Sequence, residues 1–214
     1  MRAYYVKQLE NLNNKLIEMG SLIENAIEFA IDGLVNQDDE KARKAMEIDE
    51  KIDRLEKDIE AMCMKLLLHE QPVAGDLRLI SASLKMITDM ERIGDHATDI
   101  SEVYLTMPKA PWIKKLTHLQ QMAKETMYML INSVDAYVRR DVELAHKVIA
   151  HDDVVDDLFV EIKEELIGLI HQNPDNGHQA LDLLMIAKYF ERIGDHATNI
   201  AEWLIFAING VHEE

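Results

Sequence analysis

Glu91-Arg92-Ile93-Gly94-Asp95-His96-Ala97-Thr98-Asp99-Ile100 recurs as Glu191-Arg192-Ile193-Gly194-Asp195-His196-Ala197-Thr198-Asn199-Ile200. Nine of the ten positions are identical, and the copies stand 100 residues apart. A fixed long period sets the architecture of a chain before any single motif does. The decapeptide reads as helix, because Met86, Met90, Ile93, Ala97, Ile100 and Tyr104 recur at the three- and four-residue spacing of one buried face. Glu91, Asp95, Asp99 and Glu102 form a second stripe, expected roughly opposite the apolar one. Acids four apart repel, weakening a helix by a few tenths of a kcal/mol per pair. Such a stripe is either a solvated face or one that waits for a compensating cation.

Outward from the decapeptides, each half reads as three long helices. In the first half they run over about 4–36, 40–69 and 76–106. Their stripes include Leu12, Leu16, Met19, Ile23 and Ile27, then Ile48, Ile52, Leu55, Ile59 and Leu66. Asp38 is placed to cap the second helix, and Gln71-Pro72-Val73-Ala74-Gly75 breaks the second from the third. Pro108-Lys109-Ala110-Pro111 divides the halves, after which helices are expected over about 112–139, 142–171 and 179–207. Asp32, Val35, Asp38 and Asp53 match Asp135, Val138, Asp141 and Asp156, an offset of 103 rather than 100. The expected fold is all-α, two tandem three-helix bundles of antiparallel helices, divided into residues 1–107 and 108–214.

Composition narrows the function. Aromatic residues make up 6%, and the chain has 8 glycines, 4 prolines and 12 methionines, a balance suited to helices packed through Leu, Ile, Met and Ala. The net charge of −17, with no Lys/Arg cluster, argues against nucleic-acid binding and against adhesion to an anionic membrane. The sequence holds no apolar run long enough to span a bilayer and no signal-peptide core at its N-terminus. Its one cysteine, Cys63, sits in an apolar run and reads as core, so a cytoplasmic location is expected.

Asp49, Asp53, Glu56 and Glu60 line one flank of the second helix, and Asp152 and Asp156 repeat the first two in the fifth. Phe159 and Lys163 replace the later acids. Carboxylates at helical spacing on adjacent helices can hold Mg²⁺, Mn²⁺, Ca²⁺ or iron, or pair with surface cations such as Lys51, Arg54 and Lys57. His96 and His196 read as packed or hydrogen-bonded side chains, and Arg92 and Arg192 as holders of acidic neighbours. A ferritin-like di-iron site is excluded, because Glu143-Leu144-Ala145-His146 is the one Glu-x-x-His in the sequence. No phosphate-binding loop, zinc-protease helix or serine-nucleophile elbow is present.

The doubled Glu-Arg-Ile-Gly-Asp-His-Ala-Thr, the run Gln71-Pro72-Val73-Ala74-Gly75-Asp76-Leu77-Arg78 and Asp49-Glu50-x-x-Asp53 together resemble the PhoU family over essentially the whole chain. The resemblance implies a dimeric, cytoplasmic, non-catalytic regulator of phosphate uptake that reaches the inner face of the membrane through other proteins. Its implied partners are the ATPase subunit of a phosphate ABC transporter and a phosphate sensor histidine kinase, and its implied effect is to restrain the starvation response when phosphate is ample. It also implies metal sites of the form (Glu/Asp)-x-x-x-Asp, holding iron, Zn, Mn, Mg or Ca. Residue by residue these fall on Asp49 with Asp53, Glu91 with Asp95, Asp152 with Asp156 and Glu191 with Asp195, and Asp99 extends the first. Asn199 and Pro174-Asp175-Asn176-Gly177 depart from the family pattern. The competing reading is a metal-dependent enzyme or a metal store built on the acidic stripes.

Overall fold

A computed structural model describes residues 2–69 and 72–211. It contains six long α-helices and, among the described residues, no strand: α1 Arg2–Asn36, α2 Asp39–His69, α3 Ala74–Thr106, α4 Thr117–Arg139, α5 Val142–Gln172 and α6 Gly177–Asn209. A short 3-10 turn, Pro174–Asn176, precedes α6. Gln71, the first residue of the expected break, lies outside the described residues.

The stripes read from the sequence are the core. Leu12, Leu16, Met19, Ile23 and Ile27 of α1, Ile52 and Ile59 of α2, and Met86, Met90, Ile93, Ala97 and Ile100 of α3 are all buried. The first three helices pack on one another, as do α4, α5 and α6. The halves meet through α3 against α6 and α1 against α4, so α2, α3, α6 and α5 follow one another side by side. The two decapeptides therefore lie back to back at the centre, with the His96 and His196 ring centroids 5.5 Å apart. Cys63 is fully buried, and that burial pushes its thiol up to about 12, so it is packing rather than chemistry.

Both halves turn their first corner in the same way. Gln37 (φ 54°) and Arg140 (φ 59°) close α1 and α4 in the left-handed region. The following aspartates then cap the next helix. Asp38 Oδ1 accepts from the Glu40 and Lys41 N–H groups at 3.0 and 3.2 Å, and Asp141 Oδ1 from Leu144 N–H at 3.0 Å. At Gly33 a Cβ would stand 2.8 Å from the Ala42 backbone nitrogen, so no larger residue lets α1 and α2 fold back this tightly.

The second corner differs between halves, and this accounts for the shift in offset. α3 and α6 are both 33 residues long, yet α6 starts three residues nearer its decapeptide and runs three further beyond it. The deletion thus falls at the α5–α6 corner, where the Pro-x-x-x-Asp-Leu-Arg pattern is lost. In the first half, Arg78 of that pattern leaves its own helix and donates from Nε to the Ala207 carbonyl at 3.1 Å, in the last turn of α6. An arginine there meets the negative end of the helix dipole.

The fourth helix begins at Thr117, later than the expected 112. Residues between α3 and α4 are held by distant groups instead. Gln37 Nε2 donates to the Ala110 carbonyl at 2.7 Å, Ile113 N–H donates to Gln179 Oε1 at 2.6 Å, and Lys109 Nζ donates to Asp39 Oδ1 at 2.5 Å. Trp112 and Ile113 pack on the core, and the Ala110 carbonyl and Ile113 N–H are satisfied by side chains rather than by a helical turn.

Arg78→Ala removes a charge-assisted bond to an otherwise open helix end. It should cost about 1.5–3 kcal/mol, the usual range for a hydrogen bond to a charged group. Urea unfolding would show this as a lower midpoint at unchanged slope.

Candidate functional site

In each half the acids gather where the second helix crosses the third. The crossing is close because the third helix carries glycine there. A Cβ on Gly94 would stand 3.0 Å from Ile52 Cδ1 and 3.4 Å from Asp49 Oδ1; on Gly194 it would stand 2.8 Å from Asp152 Oδ1. The aspartate thus lies over the bare backbone of the glycine. Asp49 Oδ1 and Asp152 Oδ1 are both buried and have no hydrogen-bond partner. A buried oxygen without a donor is costly when charged.

The electrostatics agree in both halves. Burial, followed by the charges of Asp53, Asp95, Asp99 and Glu102, pushes the Asp49 carboxyl up to about 6. Burial, then Asp156, Asp195, Glu191 and Asp153, does the same for Asp152, again to about 6. Glu91 is raised by burial and by Asp95, Glu56 and Asp53, with Arg92 opposing. Asp156 is raised by burial and Glu191, with Lys188 opposing.

The sequence-derived residues therefore assemble as two clusters. Asp49, Asp53, Glu91, Asp95 and Asp99 stand together between α2 and α3, and Asp152, Asp156, Glu191 and Asp195 between α5 and α6. The stripe is not opposite the apolar face: Glu91, Asp95 and Asp99 are partly buried on its flank. Helix α2 leans over that flank, which a helical wheel of α3 alone does not register. As they stand, no three acidic, His or Cys side chains among the described residues converge into a ligand cage. What the clusters offer is an all-oxygen donor set with one orphaned oxygen each, the chemistry of a hard cation.

Arg92 holds acids in the first half, bonding Asp95 at 2.8 Å and approaching Glu91 at 3.5 Å. In the second half Lys188 pairs with Glu191. Arg54 pairs with Glu50 at 3.1 Å, outside the cluster.

The histidines belong to the seam between halves. His96 Nδ1 bonds Asp99 Oδ2 at 3.0 Å, while its buried Nε2 has no partner; burial holds the ring below the usual histidine range. His196 instead bonds Asp89 across the seam at 2.9 Å. Asp89 also accepts from Asn199 Nδ2 at 3.0 Å and Trp203 Nε1 at 3.2 Å. The amide at 199 thus works for the α3–α6 contact. Asp89 went unremarked in the sequence; its signal was the mismatch with Tyr189, the residue one period later, whose ring sits 5.6 Å from His96.

The fold and these clusters define a class: a duplicated three-helix scaffold whose halves each present an acidic helix–helix seam. The PhoU domain matches twice, over residues 16–104 and 119–204. The phosphate-specific transport system accessory protein PhoU homolog of Clostridium acetobutylicum is 35% identical over 210 residues, covering 98% of this chain and 96% of that one. Its counterpart in Aquifex aeolicus is 36% identical over 186 residues, 87% of this chain and 84% of that one. The crystal structure of PhoU from Pseudomonas aeruginosa superposes with a TM-score of 0.89 at 30% identity, covering 97% of this chain and all of that one (100%). The chain belongs to the PhoU family.

A pH dependence follows from the orphaned carboxyls. Their folded values, about 6, lie above the unfolded value of 3.8, so their contribution to stability is full below about pH 4 and is lost as pH rises through about 6. Asp49→Asn and Asp152→Asn should each raise the melting temperature near pH 7.5 and change it little near pH 4. Calorimetry at the two pH values checks the sign.

Proposed function

We propose that this protein regulates phosphate uptake and phosphate-starvation signalling, without catalysis, as an adaptor between the ATPase subunit of a phosphate ABC transporter and a phosphate sensor histidine kinase. The observation that carries the reading is the double match to the PhoU domain, together with relatives named as accessory proteins of phosphate-specific transport. Among the described residues no helix is long and apolar enough to cross a membrane, so contact with a transporter would run through protein surfaces. We place the protein in the cytoplasm as a homodimer, at the inner face of the membrane when docked, restraining the starvation response while phosphate is ample.

The acidic seams supply the second part of the proposal. Asp49, Asp53, Glu91, Asp95 and Asp99 would hold a hard cation such as iron, Mn²⁺, Mg²⁺ or Ca²⁺ in one half, and Asp152, Asp156, Glu191 and Asp195 in the other. The fit rests on the two partnerless oxygens, on glycines 94 and 194 beneath them, and on oxygen-only donors. Such an ion would supply positive charge that neutralises the seam. The acidic rims themselves favour a basic patch on a partner, a contact that weakens with salt on the Debye scale of about 8–10 Å.

Deleting the gene should leave phosphate-starvation genes switched on in phosphate-rich medium. Glu91→Lys with Asp95→Lys should reproduce part of that phenotype while circular dichroism stays helical. Normal repression in the deletion strain would remove the assignment.

Metal content is tested separately on protein purified without chelator. Asp95→Ala and Asp195→Ala should each lower bound metal relative to the parent protein. Equal, negligible metal in all three would leave the seams as solvated acid. Turnover of simple phosphoesters with added Mn²⁺ would favour the enzymatic reading instead.

A further inference from the structure

A different face of the molecule carries exposed apolar surface. Along the seam where α1 meets α4, two recesses lie in line. One, of about 340 Å³, is lined by Ile17, Gly20, Glu24, Ile131 and Val134 among others. The second, of about 290 Å³, continues past Glu28, Ile31 and Val35 to Ala123 and Met127. Ile17 is 46% exposed and Ile131 42%, large values for isoleucines on long helices with a full core behind them. From Ile17 to Val35 the seam is about 27 Å long at 1.5 Å per residue.

Gly20 adds a second observation. It lies inside α1, where glycine weakens a helix relative to alanine. Gly33 and Gly94 have no room for a side chain, but a Cβ on Gly20 would make only ordinary contacts, with Val134 Cγ2 at 3.6 Å and with Val134 Cγ1 and Met90 Cε at 3.9 Å. Packing within the fold therefore does not require glycine here. Its effect is to lower the floor of the recess.

The rim carries Glu24, Glu28, Asp32 and Asp135 against Lys124 and Arg139, so acid outnumbers base. Arg139 bonds Asp135 at 2.8 Å, and Lys41 pairs with Asp32. Glu24 and Glu28, one turn apart on α1, have no cation paired to them among the described residues. The Glu24 carboxyl is raised by partial burial and then by Glu28, as expected for a local excess of negative charge.

We propose that the α1–α4 groove docks an amphipathic helix of a partner protein, apolar where it enters the recesses and bearing Lys or Arg along its flanks. A helix laid in a groove uses apolar anchors one turn apart, and two recesses in line offer places for them. A second copy of this chain is the poorer occupant, since it would bring its own −17 charge onto an acidic rim. The inference concerns a surface separate from the acidic seams and does not depend on their holding metal.

The test uses the full chain and a fluorescein-labelled synthetic peptide of about 18 residues, with Leu at helical spacing and Lys on both flanks. Fluorescence anisotropy should show saturable binding, at least about tenfold weaker for the same peptide with Glu flanks. Ile17→Asn with Ile131→Asn should weaken binding about tenfold, whereas Asp53→Asn, in the acidic seam, should leave it unchanged. Gly20→Ala gives a signature that misfolding cannot mimic: a higher melting temperature with several-fold weaker binding. Binding that ignores the groove substitutions, or no binding at all, overturns the proposal. So does sedimentation showing a dimer that the groove substitutions dissociate, because a second copy would then be the occupant.

Discussion

A missing Cβ at Gly94 and at Gly194 fixes how near the second helix of each half can come to the third. With any larger residue there, Ile52 and Asp152 would be driven outward, and with them the helices that carry them. The close crossing has two consequences at once. It completes the apolar packing of Ile52 and Val155, both fully buried. It also carries an aspartate in beside them, where its inner oxygen meets backbone rather than water. The same few atoms thus make the bundle tight and the seam electrostatically strained.

That strain is distributed unevenly because the halves are copies that have diverged. In the first half Asp99 turns to His96 and also bears on Asp49. In the second, Asn199 turns away from the seam and joins His196 and Trp203 on Asp89. One carboxylate with three donors is well satisfied at a part-buried interface, where a half-satisfied one would be costly. The exchange moves a negative charge from the edge of one seam to the joint between halves. Lys188 pairs with Glu191 in the second half, and Arg92 does comparable work in the first.

Much of this was readable from the chain. Helix number, the apolar stripes and the duplication follow from local periodicity, and Asp38 capped as expected because a cap is a local interaction. The acidic residues could be named but not placed. Whether Asp95 faces water or a neighbour depends on the crossing of α2 over α3, which depends on Gly94, which reads as an unremarkable helical glycine when taken alone. The late start of α4 was hidden for a similar reason. Gln37 and Gln179, far from residues 110–113 in sequence, hold that segment out of helix. Asp89 was invisible for want of its partners, all more than 100 residues away.

The bond from Arg78 to the end of α6 spans 129 residues, and the three donors to Asp89 lie 107, 110 and 114 residues beyond it. On a ribosome, the first half leaves the exit tunnel before the last helix exists. Its free face then presents Asp89 and Arg78 as a template, and α6 is gripped near its middle and at its end as it arrives. Synthesis therefore runs from a half whose α3 face is still open to one that closes it. A stop before His196 would leave Asp89 without its three donors and the α3 face that α6 covers open to water.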